Sequence, residues 1–126
     1  MEIYHINFSG YKGSEINSIH LGIIFNLPNV KNMLFCIPLT SPKEKHFKTI
    51  EAFNNRNHNE LRYQNLLYIN QRDSIALLDQ IRTISIKRLL NEYNKDADNK
   101  NIFLTNENLS LINIKLIKYL KNILKG

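Results

Sequence analysis

Two short stretches set titratable and phosphate-binding side chains at the ends of apolar runs. Met33-Leu34-Phe35-Cys36-Ile37-Pro38-Leu39 leads into Thr40-Ser41-Pro42-Lys43, with Lys45, His46 and Lys48 close behind. Gly13-Ser14-Glu15 precedes His20, which heads the run His20-Leu21-Gly22-Ile23-Ile24-Phe25. Histidine accepts and donates protons near neutral pH. A hydroxyl can hydrogen-bond an anionic oxygen, and a nearby ammonium offsets its charge. On a nucleic acid, Lys43, Lys45 and Lys48 would contact phosphates with salt-dependent, sequence-independent affinity. His46 is a second acid or base candidate. Each feature also has a plainer reading: a strand-end histidine, a Thr-Ser-Pro turn, a solvated lysine loop.

Other chemistry finds less footing. His5 and His58 stand in no motif and read as ordinary polar positions. No Cys/His spacing matches a zinc site, and no glycine-rich phosphate loop is present. Phe47, Phe53 and Tyr63 can stack on bases, but they serve equally well as core. The chain has 126 residues, enough for one compact domain over 1–126. Its net charge of +6, from 17 Lys+Arg against 11 Asp+Glu, favours polyanionic partners. The one cysteine, Cys36, cannot form an internal disulfide and reads as a small buried residue in a reducing cytoplasm. Neither a secretory signal nor a membrane-spanning run is visible.

The elements that must position these residues follow from periodicity. Ile3–Phe8 reads as a strand with Ile3 and His5 on one face and Tyr4, Ile6 and Phe8 on the other. Strands follow at 20–25 and 33–39, where Pro38 implies an edge or a bulge. A short helix fits Thr49–Asn55, and strands fit Tyr63–Ile69 and Ser74–Leu78. Residues 85–90 are ambiguous, and 94–101 read as a solvated loop. Thr105 or Asn106 can cap a final helix. Its apolar positions Leu109, Ile112, Leu116, Leu120 and Ile123 recur at helical spacing, with Lys115, Lys118, Lys121 and Lys125 opposite. Leu111, Ile114 and Ile117 widen the apolar arc, as in a helix packed against more than one surface. Short strands with one terminal helix give an α+β domain with a barrel-like antiparallel sheet.

Arg72-Asp73-Ser74-Ile75-Ala76-Leu77-Leu78-Asp79-Gln80-Ile81-Arg82-Thr83-Ile84, followed by Lys87-Arg88-Leu89, resembles a signature of the MazF/PemK family of toxins. The resemblance covers about Gly13–Leu89 and the helix position. It implies a small SH3-like antiparallel barrel (MazF/CcdB-like) with a C-terminal helix, acting as a homodimer. It also implies a metal-independent endoribonuclease with no cofactor. Such an enzyme cleaves single-stranded RNA by 2′-OH attack and is neutralised by an antitoxin, a small protein with an acidic disordered tail. By position, Ser14 and Glu15 match the family's loop, Thr40 its strand-end hydroxyl with Ser41 in support, and Arg82 a strand-pinning or phosphate contact. His20-Leu21 replaces the family's Arg-Pro. Histidine can take over proton transfer but loses arginine's bidentate grip on phosphate. The stretch 38–46 is also similar to the ToxN/AbiQ ribonucleases, whose antitoxin is an RNA. The alternative on the same fold is a toxin that binds gyrase or RNA without cleaving.

Overall fold

A computed structural model describes residues 2–10, 18–26, 31–92 and 104–125. The strands are β1 (Glu2–Asn7), β2 (Ile19–Asn26), β3 (Met33–Thr40), β4 (Leu66–Ile69), β5 (Ser74–Leu77), β6 (Arg82–Ser85) and β7 (Leu89–Glu92). A short helix α1 (Ile50–Asn54) lies between β3 and β4, and α2 (Asn106–Lys125) closes the fold. The strand order is β4-β5-β3-β2-β1-β7, with β6 also paired to β3, and every pairing is antiparallel. The architecture is therefore the expected α+β, barrel-like sheet with a C-terminal helix. Two expected solvated segments, 94–101 and the Gly13-Ser14-Glu15 loop, lie outside the described residues.

The continuous apolar runs are explained by a sheet with two buried faces. Ile6, Phe8, Ile24, Leu34, Cys36, Ile75, Leu77 and Ile84 form an inner layer that reaches Phe47 and Ala52 of the α1 segment. Ile3, Ile23, Ile37, Leu39, Leu67, Ile69, Ala76 and Leu78 form the outer layer under Ile112 of α2. Along β3 alternate residues serve alternate layers, so this strand is buried on both sides. Burying each such Ile or Leu is worth about 1.5–3 kcal/mol.

β3 is a central strand, not the edge that Pro38 implied. It pairs with β2 along one side. On the other side it pairs with β6 through Met33–Cys36, then with β5 at Leu39 and Thr40. Pro38 falls at that handover, beyond the last residue paired to β6 and before the first paired to β5. The missing N–H is thus placed where neither of those ladders includes it. Gly22, paired with Pro38, is equally position-bound. A Cβ there would lie 2.6 Å from Ile6 Cδ1 and 2.7 Å from Cys36 Sγ.

The helices obey their caps. Thr49 Oγ1 accepts the Ala52 N–H at 2.9 Å, and Thr105 Oγ1 accepts the Asn108 N–H at 3.1 Å. On α2, Ile112 is buried and Leu116 and Tyr119 pack on the outer layer. Leu111, Ile114 and Ile117 are instead exposed, so within this chain the wide apolar arc meets one surface. Residues 85–90 resolve into a 3-10 turn (Ile86–Arg88) and the start of β7.

Candidate functional site

The C-terminal end of β3 and the N-terminal end of β2 meet beside a cleft of about 350 Å³. Its position follows from register. β1 and β2 pair Ile6 with His20, and β2 and β3 pair Gly22 with Pro38. Two residues beyond that last pair are His20 on one strand and Thr40 on the other. Both line the cleft, with Ser41 and Lys43 from the segment leaving β3. β5 contributes Ser74 through its pairing beside Thr40. The Thr40 and Ser74 side chains are nearly covered, at 8% and 7% exposure, and Ser41 and Lys43 are exposed. No carboxylate is among the described residues lining this cleft, so its fixed charge is the Lys43 ammonium.

His5 also lines it. The sequence reading left His5 without a role, because nothing next to it in the chain carries chemistry. The available signal was its place on the strand that pairs with the His20 strand. Ser74 was likewise missed as a site residue, although it sits inside the Arg72–Ile84 signature. That signature now has a structural account. Asp73 takes a left-handed conformation (φ 45°) at the β4–β5 turn. Its carboxylate accepts from Arg56 Nε at 2.8 Å and from the Tyr68 hydroxyl at 2.8 Å. These bonds hold the Asp73 carboxyl below its usual range. The turn thereby fixes β5 and presents Ser74 to the cleft.

His46 stands apart from the cleft. It is 4% exposed, and its Nδ1 accepts the Lys43 backbone N–H at 3.0 Å. Its carbonyl accepts the Arg62 N–H at 2.9 Å, next to the Phe47–Leu61 bridge. The enclosed ring shapes the loop, and His46 is not among the described residues lining the cleft. The loop it shapes carries Lys43, Lys45 and Lys48 as exposed side chains on a fixed ridge. Lys45 and Lys48 line a separate hollow with Glu44, Thr49, Ile50 and Arg62. Arg82 is turned to structural use: Nε donates to the Gln80 carbonyl at 3.0 Å, Nη2 donates to Gln80 Oε1 at 2.8 Å, and the guanidinium lies 5.2 Å from the Phe8 ring centroid. It is not among the residues lining the cleft. Ser14 and Glu15 lie outside the described residues. Cys36 is buried behind Gly22, and burial pushes its thiol up to about 12, which removes it as a nucleophile.

A small α+β barrel whose second and third strands end together at a cationic, hydroxyl-lined cleft narrows the class of protein considerably. The family of PemK-like, MazF-like toxins of type II toxin–antitoxin systems matches residues 1–113, and the chain belongs to it. An antitoxin is the partner this membership implies. No curated protein matches the chain. Among the described residues, no helix is long and apolar enough to cross a membrane.

Proposed function

We propose that the protein is a metal-independent, sequence-selective endoribonuclease that cuts single-stranded RNA in the His20–Thr40 cleft. The observation that supports this most is the convergence of His5, His20, Thr40, Ser41 and Lys43 on one open cleft. In the reaction, the ribose 2′ oxygen attacks the adjacent phosphorus. The new 2′-O–P bond replaces the P–O5′ bond, leaving a cyclic phosphate and a 5′-OH. One proton leaves the 2′-OH and one is delivered to O5′, so a base and an acid balance the step without added water. His20 and His5 fill those two roles, worth about 10²–10⁴-fold in rate for each transfer. Thr40 and Lys43 stabilise the charge that builds on the phosphate oxygens, with Ser41 in support. His20 thereby takes over the proton transfer of an arginine, and Lys43 takes over part of its charge.

The active species in this reading is a homodimer. The antitoxin is a small protein whose acidic tail competes with RNA for the lysine ridge, consistent with the net charge of +6. The test is incubation of purified protein with a long single-stranded RNA in EDTA, beside His20→Ala and Thr40→Ala. Wild type yields fragments with 5′-OH ends and both variants lose them. Intact RNA after long incubation with folded wild-type protein would overturn the enzyme reading.

A further inference from the structure

On the far side of the lysine ridge, a groove of about 410 Å³ separates the segment around Tyr63 from α2. Its walls carry Lys48 and Arg62 from the ridge side and Lys115 and Lys118 from the helix. The sequence pattern set the α2 lysines on the solvent side, opposite the packed face. The structure instead folds Lys115 half inward, one turn from Lys118 on the same face. Burial, with Lys118 adding to it, lowers the proton affinity of the Lys115 ammonium. The two helix cations share one face with no carboxylate among the described lining residues, an arrangement that attracts an anion. Tyr63 is 57% exposed at the mouth, and Tyr119 stands on the helix wall. His58, the other histidine without a motif, lines the same groove.

We propose that this groove is a second binding site for single-stranded RNA, which holds the strand at nucleotides away from the cleaved bond. The inference rests on the ribonuclease reading of the His20–Thr40 cleft. Phosphates lie along Lys48, Arg62, Lys115 and Lys118, and a base stacks on the exposed Tyr63 ring. RNA fits better than an acidic peptide. Four of the groove's lining residues are Lys or Arg, and they stand beside the exposed Tyr63 ring, a pairing that suits phosphates and a stacked base better than the anchoring side chains of a peptide. The two sites are also connected. Lys48 and Arg62 line both this groove and the hollow that holds Lys45, and Lys45 lies two residues from Lys43 in the first cleft. One carboxylate, Glu44, is present among the described residues lining the three. A strand leaving the cleft at Lys43 can therefore pass Lys45, Lys48 and Arg62 on its way to Tyr63.

Fluorescence anisotropy tests this with two labelled RNAs. One is a short oligonucleotide that fills only the His20–Thr40 cleft, and the other is longer and spans the ridge. Both are titrated in the Thr40→Ala background so that the probe stays intact. Tyr63→Ala with Lys118→Ala is compared with Tyr63→Phe with Lys118→Arg, all checked for native circular dichroism. The alanine pair is expected to weaken binding of the long RNA roughly tenfold. It also lowers the salt slope by about 0.7 for the lost phosphate contact. The conservative pair keeps the long-RNA affinity, and the short RNA binds all proteins alike. Equal long-RNA binding by the alanine pair overturns the second site while leaving the cleft reading intact. If the parent protein binds neither RNA and wild type cleaves none, the ribonuclease reading fails and the groove assignment with it. An acidic, aromatic-bearing peptide is titrated in parallel. If the alanine pair loses the peptide but keeps RNA, the groove serves a protein partner and the proposal falls.

Discussion

Replacing Gly22 by alanine would strain the junction that sets His20 beside Thr40. The added Cβ would lie 2.6 Å from Ile6 Cδ1 and 2.7 Å from Cys36 Sγ. Ordinary carbon contacts fall at about 3.5–4.0 Å, so both neighbours must retreat by roughly 1 Å. Ile6 and Cys36 are each 0% exposed, and neither can swing into solvent. Overpacking of this kind costs about 1–3 kcal/mol. Loss of glycine's freedom in the unfolded chain returns about 0.4–1 kcal/mol. The net expectation is a destabilisation of about 1–2 kcal/mol, or a Tm lower by about 4–8 °C for a chain of this size. Thermal and urea unfolding measure it, and an unchanged urea slope would locate the effect in stability. Ile6→Val removes the Cδ1 that is struck and alone costs about 0.5–1.5 kcal/mol. The double variant should therefore be more stable than the sum of the two changes predicts. A Gly22→Ala protein as stable as wild type, or strictly additive costs in the double variant, would refute the packing argument. Any sliding of β2 that relieves the clash also displaces His20 from Thr40, so on the proposed ribonuclease reading RNA cleavage should fall even where folding survives.

Three further outcomes follow from the same geometry. If His20 and His5 are the acid and base, kcat/KM for RNA cleavage has a bell-shaped pH profile, and either histidine→Gln change removes one limb along with about 10²–10⁴-fold in rate; a flat profile in wild type would exclude the pair. The Asp73 carboxyl, lowered first by its hydrogen bond from Arg56, gives stability that is present above the unfolded value of about 3.9 and is lost as pH falls through the lower folded one. Asp73→Asn should flatten that acid limb in urea titrations and cost about 0.2–1 kcal/mol at neutral pH, since the pair is largely exposed. Cys36, 0% exposed and with its thiol pushed up to about 12, should resist a thiol reagent in the folded protein and react at the unfolding rate once denaturant is added; rapid labelling under native conditions would contradict its burial.

Much of the fold was legible because its signals are local. The apolar runs that became β1, β2 and β3 were placed to within a residue or two, and Thr49 and Thr105 announced the helix starts. Pro38 misled because a proline's tolerance depends on which neighbour a strand has at that residue, and β3 changes neighbour there. The cleft was half legible. His20, Thr40, Ser41 and Lys43 sit at run ends, where polar side chains stand out. His5 and Ser74 reach the cleft only through strand pairing, which has no signature in the chain around them. His46 stands among lysines in the sequence, and its burial and its bond from the Lys43 backbone N–H are contacts that the chain around it does not announce. Lys118 is exposed as its helical position predicts, whereas Lys115 is half-buried, because helical periodicity does not record what the opposite loop brings near.

The lysine ridge has a consequence for how such a protein changes over generations. Its shape is held by atoms that are not its lysine side chains: the buried His46 ring, the backbone bridge between Phe47 and Leu61, and the Thr49 cap of α1. Among the groups that would touch a polyanion, the Lys43 and Lys48 side chains are exposed. Exchange of exposed side chains usually costs little stability, so ligand preference can drift at these positions while the scaffold stays under separate selection.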